Sequence, residues 1–224
     1  MDPLIGRRYG AVLFDLDGTL IDSAELIMTA FEATVQANLH RTIDRTAILG
    51  MWSRPIRERF RALAPDRDEV LAQDYLRRYL ALHDRYARLF PGVADVLEAL
   101  RVRGYAMGIV TSKRRATTEA AVSGFHLDRW CTVIITDEDV TRHKPDPEPV
   151  RAAASQLGVP VAEALMVGDS PLDIAAGHRA GAGTAAALWG TVEASPLLAE
   201  APDHRLARPE DLLPICPAET ERAR

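Results

Sequence analysis

Gly10-Ala11-Val12-Leu13-Phe14-Asp15-Leu16-Asp17-Gly18-Thr19-Leu20 decides the reading of this chain, because an uncharged, β-friendly run stops there at two carboxylates. A short apolar run without alternation is the mark of a strand buried on both faces of a parallel sheet. Asp15 and Asp17 stand where that strand ends, and Gly18 frees the backbone for a turn. Carboxylates at i and i+2 start on one side of an extended chain, and their repulsion raises one pKa unless a cation shares the site. The pair therefore calls for a metal, a proton or both. Its hard oxygen donors suit Mg2+ rather than zinc, and Mg2+ needs only one or two protein carboxylates beside phosphate oxygen and water. The plain alternative is a helix cap or Asx turn at either residue.

After Leu20 the hydrophobic period changes. Asp22 or Ser23 can cap a helix whose apolar positions Leu26, Ile27, Ala30, Phe31, Thr34 and Val35 recur at helical spacing. Further helices are expected over Asp44–Leu49, Pro55–Leu63 and Asp66–Ala87, the last with Val70, Leu71, Tyr75, Tyr79, Leu80 and Leu82 at threes and fours and its tyrosines packed in a core. Phe90-Pro91-Gly92 breaks this all-helical stretch. From there strands alternate with helices. Strands are expected at Tyr105–Val110, Cys131–Ile135, Leu165–Val167, Thr184–Leu188 and Asp203–Ala207, with helices between them, one starting at Pro171 and one closing at Pro209–Leu213.

That alternation predicts an α/β fold, a doubly wound, Rossmann-like parallel sheet, with a small helical domain inserted after the first strand. The expected boundaries are 1–20 and 91–224 for the core and 21–90 for the insert. In such sheets ligands bind beyond the carboxyl ends of the strands. Asp15 and Asp17 follow the first strand, Thr111 and Ser112 the second, Lys144 lies in the loop after the third, and Asp169, Ser170 and Asp173 follow the fourth. All would converge on one crevice.

Composition narrows the function. With 27 basic and 32 acidic residues the formal charge is -5, so no global basic field recruits nucleic acid or an anionic membrane. The chain has two cysteines, Cys131 and Cys216, without paired or metal-ligand spacing, which fits a reducing, cytoplasmic setting. No run of about 20 apolar residues spans a bilayer. The basic residues of Met1–Arg8 lack an apolar signal core behind them, and the polar stretch from Pro217 to Arg224 is expected to fray.

Taken together, FDLDGTL at Phe14–Leu20, IVTSK at Ile109–Lys113, HKPDPEP at His143–Pro149 and VGDSPLD at Val167–Asp173 resemble the four signature motifs of the haloacid dehalogenase-like hydrolases. The helical insert looks like that family's cap, and the likeness extends to the branch of phosphoglycolate phosphatases and a bacterial pyrophosphatase. The resemblance implies Mg2+-dependent hydrolysis of a small phosphorylated metabolite or of pyrophosphate. Asp15 would be the nucleophile that forms an aspartyl phosphate, and Asp17 the general acid and then base. Thr111, with the Ser112 backbone N–H, would hold the transferring phosphoryl, and Lys144 would neutralise its charge. Asp15, Asp169 and the carbonyl of Asp17 would ligate the metal, with Ser170 and Asp173 behind them, on metal-bound water or on Lys144. Gly18 and Thr19 would turn the chain and orient the acid. Arg54, in the loop Gly50-Met51-Trp52-Ser53-Arg54-Pro55, would meet a second anionic group, with Lys113 and Arg114 as alternatives. His143 is expected to be a solvated loop residue.

The same resemblance leaves a sugar phosphomutase like β-phosphoglucomutase as the rival enzyme. A phospho-receiver domain or a non-catalytic scaffold is the rival of another class, although receivers are shorter and lack the insert. Beyond a small phosphorylated substrate no partner is implied, neither nucleic acid nor membrane, and the chain is expected to be a monomer or weak homodimer.

Overall fold

The structure, a computed structural model, describes residues 9–52, 54–191 and 193–218. The basic N-terminal segment, Ser53 of the loop at 50–55 and most of the polar end therefore lie outside the described residues. Two compact units are present. One runs to Asp22 and resumes at Leu89; the other is Ser23–Arg88.

The first unit contains β1 (Ala11–Phe14), β2 (Ile21–Asp22), β3 (Arg88–Leu89, at the junction), β4 (Ala106–Val110), β5 (Val133–Ile135), β6 (Ala164–Gly168), β7 (Gly183–Ala187) and β8 (His204–Leu206). Six of these form a sheet in the order β5-β4-β1-β6-β7-β8, and every pairing in it is parallel. β1 is 0–3% exposed throughout, which is why its sequence shows no alternation. Its register is the important fact for the site: Phe14 lies opposite Ile109 on β4 and Val167 on β6, so all three strands run out at the same level. The helices of this unit are α5 (Val93–Val102), α6 (Arg115–Gly124), α7 (Glu148–Gln156), α8 (Pro171–Ala180) and α9 (Ala194–Ala199). α7 and α8 supply Val150, Ala153, Ala154, Ala176 and Ala180 to a core shared with Leu13, Val110, Ile135 and Met166.

The second unit holds α1 (Ala24–Leu39), α2 (Arg45–Leu49), α3 (Ile56–Leu63) and α4 (Asp68–Tyr86). α1 buries Leu26, Ile27, Ala30, Phe31, Thr34 and Val35, the set its period marks. Ser23 occupies the N-cap position, without a side-chain capping bond. The core is aromatic: Phe31 and Phe60 stack with centroids 4.5 Å apart, and Tyr75 meets both rings at 6.4 and 6.0 Å.

α4 departs from expectation on one face. Val70 and Leu80 are 55% and 40% exposed, while Asp74 between them is buried. Asp74 accepts bonds from Arg77, Arg78 and Asn38, which hold its carboxyl below the usual carboxylate range against the opposing effect of burial. The buried stripe is Asp68, Leu71, Asp74, Tyr75, Tyr79 and His83, with the aromatic residues at its centre. Two smaller differences are α9, which is too short and too weakly periodic to be expected, and Pro209–Leu212, which closes as a 3-10 turn rather than an α-helix.

Phe60 is fully buried in the stacked pair. Phe60→Ala is expected to cost about 3 kcal/mol or more through lost burial and the cavity left behind. Urea unfolding of the variant against the parent, followed by the far-UV signal of the helices, measures it.

Candidate active site

The turn after β1 is shaped by one glycine. Gly18 has φ +83, and its amide donates to the Ile21 carbonyl at 2.8 Å, so the chain reverses within a few residues of Asp15. A Cβ on Gly18 would lie 2.2 Å from Asp169 Oδ2, which means the turn packs directly on the carboxylate at the end of β6. Thr19 Oγ1 donates to Asp169 Oδ1 at 3.3 Å. Neither Asp15 nor Asp17 caps a helix.

Lys144 is the centre of the cluster. Its Nζ lies 2.6 Å from Asp15 Oδ1 and 2.6 Å from Asp173 Oδ1, and it donates to the Val110 carbonyl at 3.1 Å. Thus one ammonium draws together the ends of β1 and β4 and the first turn of α8. Asp173 is held from the other side: Ser170 donates to Asp173 Oδ2 from its backbone N at 3.1 Å and from its hydroxyl at 2.5 Å, forming the capping box of α8. Asp15, Asp169 and Asp173 each offer a carboxylate oxygen within 4.8 Å of the others'.

The electrostatics show what this arrangement lacks. Burial pushes the Asp15 carboxyl up to about 7 despite Lys144, with Asp173 and Asp17 adding repulsion. Burial likewise raises Asp169 well above its ordinary value, with Asp15 and Asp173 raising it further. Burial alone would lower Lys144, but Asp15 and Asp173 outweigh it and keep the ammonium charged. Three carboxylates share one buried cation, so with all three ionised the cluster carries two unbalanced negative charges. Hard oxygen donors with that deficit fit a divalent cation. Both Asp173 oxygens have partners, whereas Asp15 is bonded through Oδ1 to Lys144 and Asp169 through Oδ1 to Thr19.

Asp17 pairs with Lys113, whose Nζ stands 3.0 Å from its Oδ1. Thr111 is buried at the end of β4, its amide bonded to the Ile135 carbonyl at 2.9 Å and its hydroxyl accepting from the Lys113 amide at 3.2 Å. Ser112 follows it at the exposed surface. Asp15, Asp17, Gly18, Thr19, Thr111, Ser112, Lys113, Lys144, Asp169, Ser170 and Asp173 are therefore all gathered at the carboxyl ends of β1, β4 and β6. Arg54 belongs to the other unit, where it is exposed and its carbonyl accepts from Arg59 at 2.8 Å. Arg114 pairs with Glu138 at 3.1 Å, and His143 with Asp137 at 3.0 Å. Two residues escape sequence reasoning. Trp189 Nε1 donates to the Thr19 carbonyl at 2.9 Å, and Gly190 abuts Gly18. Only the sharp break in the buried β7 run hints at them.

Comparison with known proteins agrees with this geometry. Residues 12–187 match the family model described as haloacid dehalogenase-like hydrolase. Pyrophosphatase PpaX of Bacillus pumilus is 38% identical over 208 residues, covering 93% of this chain and 96% of that protein. The protein of the same name from Bacillus velezensis is 36% identical over 209 residues, covering 93% and 97%. A solved structure from Lactobacillus plantarum, whose name proposes a phosphoglycolate phosphatase, superposes with a TM-score of 0.83 at 25% identity over 93% of this chain and 99% of that one. With four motifs at the ends of adjoining parallel strands and a family match across most of its length, the chain belongs to the haloacid dehalogenase-like hydrolases.

Proposed function

We propose that this hydrolase is a Mg2+-dependent phosphohydrolase that works through an aspartyl phosphate on Asp15, with inorganic pyrophosphate as its first candidate substrate and small phosphorylated metabolites such as phosphoglycolate next. The observation that carries the reading is the Lys144 ammonium at 2.6 Å from both Asp15 and Asp173, beside the further carboxylate of Asp169. With its carboxylates ionised such a cluster is electrostatically incomplete by itself and balanced by a divalent cation, beside which a phosphoryl group could bind. The relatives named pyrophosphatase favour pyrophosphate, and the neighbour named for phosphoglycolate supports the second class.

In this reading Asp15 Oδ attacks phosphorus while Asp17 gives its proton to the leaving oxygen; Asp17 then takes a proton from the water that cleaves the aspartyl phosphate. Thr111 and the Ser112 amide hold the phosphoryl oxygens, and Lys144 keeps Asp15 oriented and balances charge. Mg2+, held by Asp15, Asp169 and the Asp17 carbonyl, would supply the remaining positive charge on the phosphoryl oxygens. Ser170 and Asp173 fix Lys144. Lys113, 3.0 Å from Asp17 Oδ1, would exchange that partner for a second anionic group of the substrate. Arg54 is assigned to that same group, and the Ser23–Arg88 unit to substrate selection as a cap. A cytoplasmic, monomeric or weakly dimeric enzyme completes the proposal. Among the described residues no helix is long and apolar enough to cross a membrane.

Phosphate release measured with Mg2+ on pyrophosphate, phosphoglycolate, a sugar phosphate and an aryl phosphate tests the reading; pyrophosphate is expected to be turned over fastest, and silence across the panel would overturn it. Asp15→Asn is expected to fold and to lose activity by about 10³-fold or more, the scale of removing a nucleophile. Near-normal turnover by the purified variant would refute the nucleophile assignment.

The raised carboxyls give a pH prediction with a definite sign. A carboxyl whose folded pKa lies above its unfolded value costs stability once the pH exceeds the unfolded value, and the full cost is present above the folded one. Asp169→Asn removes such a group. Without metal the variant is expected to melt about 2–4 °C higher than the parent at pH 8, the shift that about 1 kcal/mol makes in a chain of this size. The gain shrinks toward pH 5, and the variant loses the rise in Tm that Mg2+ gives the parent. Thermal melts at both pH values with and without Mg2+ check all three.

A further inference from the structure

The loop after β7 has no part in the chemistry above, yet it lies against the turn that carries that chemistry. Gly190 approaches so closely that a Cβ there would stand 1.7 Å from the Gly18 carbonyl oxygen and 2.9 Å from its Cα. One residue earlier, the Trp189 indole N–H donates to the Thr19 carbonyl at 2.9 Å. The same turn also meets Asp169: a Cβ on Gly18 would stand 2.2 Å from Asp169 Oδ2, and the Thr19 hydroxyl donates to Asp169 Oδ1 at 3.3 Å. The Gly18–Thr19 segment is thus held by contacts from both the loop at 189–190 and the carboxylate at the end of β6.

The loop at 189–190 has a firm base. β7 is buried along its whole length, and the Leu188 amide donates to the Leu206 carbonyl at 2.9 Å, so the loop leaves the sheet at a fixed point. Within the turn, the amides of Gly18, Leu20 and Ile21 are bonded to Ile21, Leu16 and Leu16 carbonyls at 2.8, 3.0 and 2.9 Å. These bonds close the turn on itself. Where it stands relative to β6 is set at its start by the Asp15 amide, which donates to the Val167 carbonyl at 2.9 Å, and beyond that by the contacts from Trp189, Gly190 and Asp169.

We infer that Trp189 and Gly190 are positioning residues of the active site: they fix the Gly18–Thr19 backbone, and through it the placement of Asp17 and Asp169, without touching substrate. The inference rests on the proposal that this turn is catalytic. Trp189 acts through one directional hydrogen bond. Gly190 acts by having no side chain, since a Cβ there would collide with the Gly18 backbone and force the turn to shift. Misplacement of a reacting group by about 1 Å can cost on the order of 10²-fold in rate.

The test uses Trp189→Phe, which keeps an aromatic ring and removes the donor, with Gly190→Ala as the stronger variant. Hydrogen exchange in the full chain is expected to quicken about tenfold at the Gly18, Leu20 and Ile21 amides of Trp189→Phe, the weight of one ordinary hydrogen bond, and to stay unchanged at Val12–Phe14. On the best substrate of the panel kcat is expected to fall about tenfold with KM within about twofold. The Mg2+ concentration for half-maximal activity should rise, and the Mg2+-induced gain in Tm should shrink. Wild-type exchange at the turn in Trp189→Phe overturns the inference. Faster exchange spread evenly over the sheet overturns it too, because that is loss of packing alone, as does a loosened turn with wild-type kcat and Mg2+ response. Absence of phosphate release by the parent would sink the hydrolase reading; the exchange pattern and the Mg2+ effect on Tm would still decide the role of Trp189.

Discussion

The Lys144 ammonium, bonded at once to Asp15, Asp173 and the Val110 carbonyl, is the constraint on which the site depends. Taking three carboxylates and an ammonium out of water is costly, and breaking such a group by removing its cation leaves buried charge uncompensated. The chain meets that cost with local order. Glu148 accepts from the Thr141 and Arg142 amides at 2.9 and 3.1 Å, bracing the loop that carries Lys144. Ser170 fixes Asp173 from the far side. What remains unbalanced is the charge at Asp15 and Asp169, which is the place where chemistry would occur.

Carboxylates elsewhere behave in the opposite way. Glu148 is held down to about 2, first by the Thr141 amide, and Glu98 to about 2 by Arg101 and the Trp130 indole. These groups are structural: their partners favour the charged form. Asp15 and Asp169 are the same chemical type in surroundings that disfavour it. Perturbation in that direction, at the ends of parallel strands, sets Asp15 and Asp169 apart from these paired carboxylates and supports the role proposed for them.

The strands and the site were legible in the sequence because both depend on short-range pattern. Val12–Phe14 and Leu165–Val167 are uninterrupted apolar runs that stop at polar residues, and parallel pairing brings those stops level. Burial within α4 was less legible. Val70 and Leu80 fit a helical period as well as Tyr75 does, and the edge-on packing of Tyr75 against the stacked Phe31 and Phe60 decides which stripe turns inward. Trp189 and Gly190 were hinted at only by the break after β7, since their meaning lies in a contact with Thr19 and Gly18 across most of the chain's length. Spacing encodes which residues share an element, and says little about which loops meet.

The register of β1 also has a consequence for the order in which the protein comes into being. Ala11 pairs with Ala106 on one side and Ala164 on the other, so the strand made first waits for partners made much later. Non-local pairing of this kind is slow, whereas the helices of Ser23–Arg88 meet within their own stretch and can form earlier. A chain emerging from the ribosome therefore carries Asp15 long before it carries Asp169. Its acidic cluster closes only when β6 docks, and a nascent chain shorter than that has no complete site with which to act on the phosphate compounds around it.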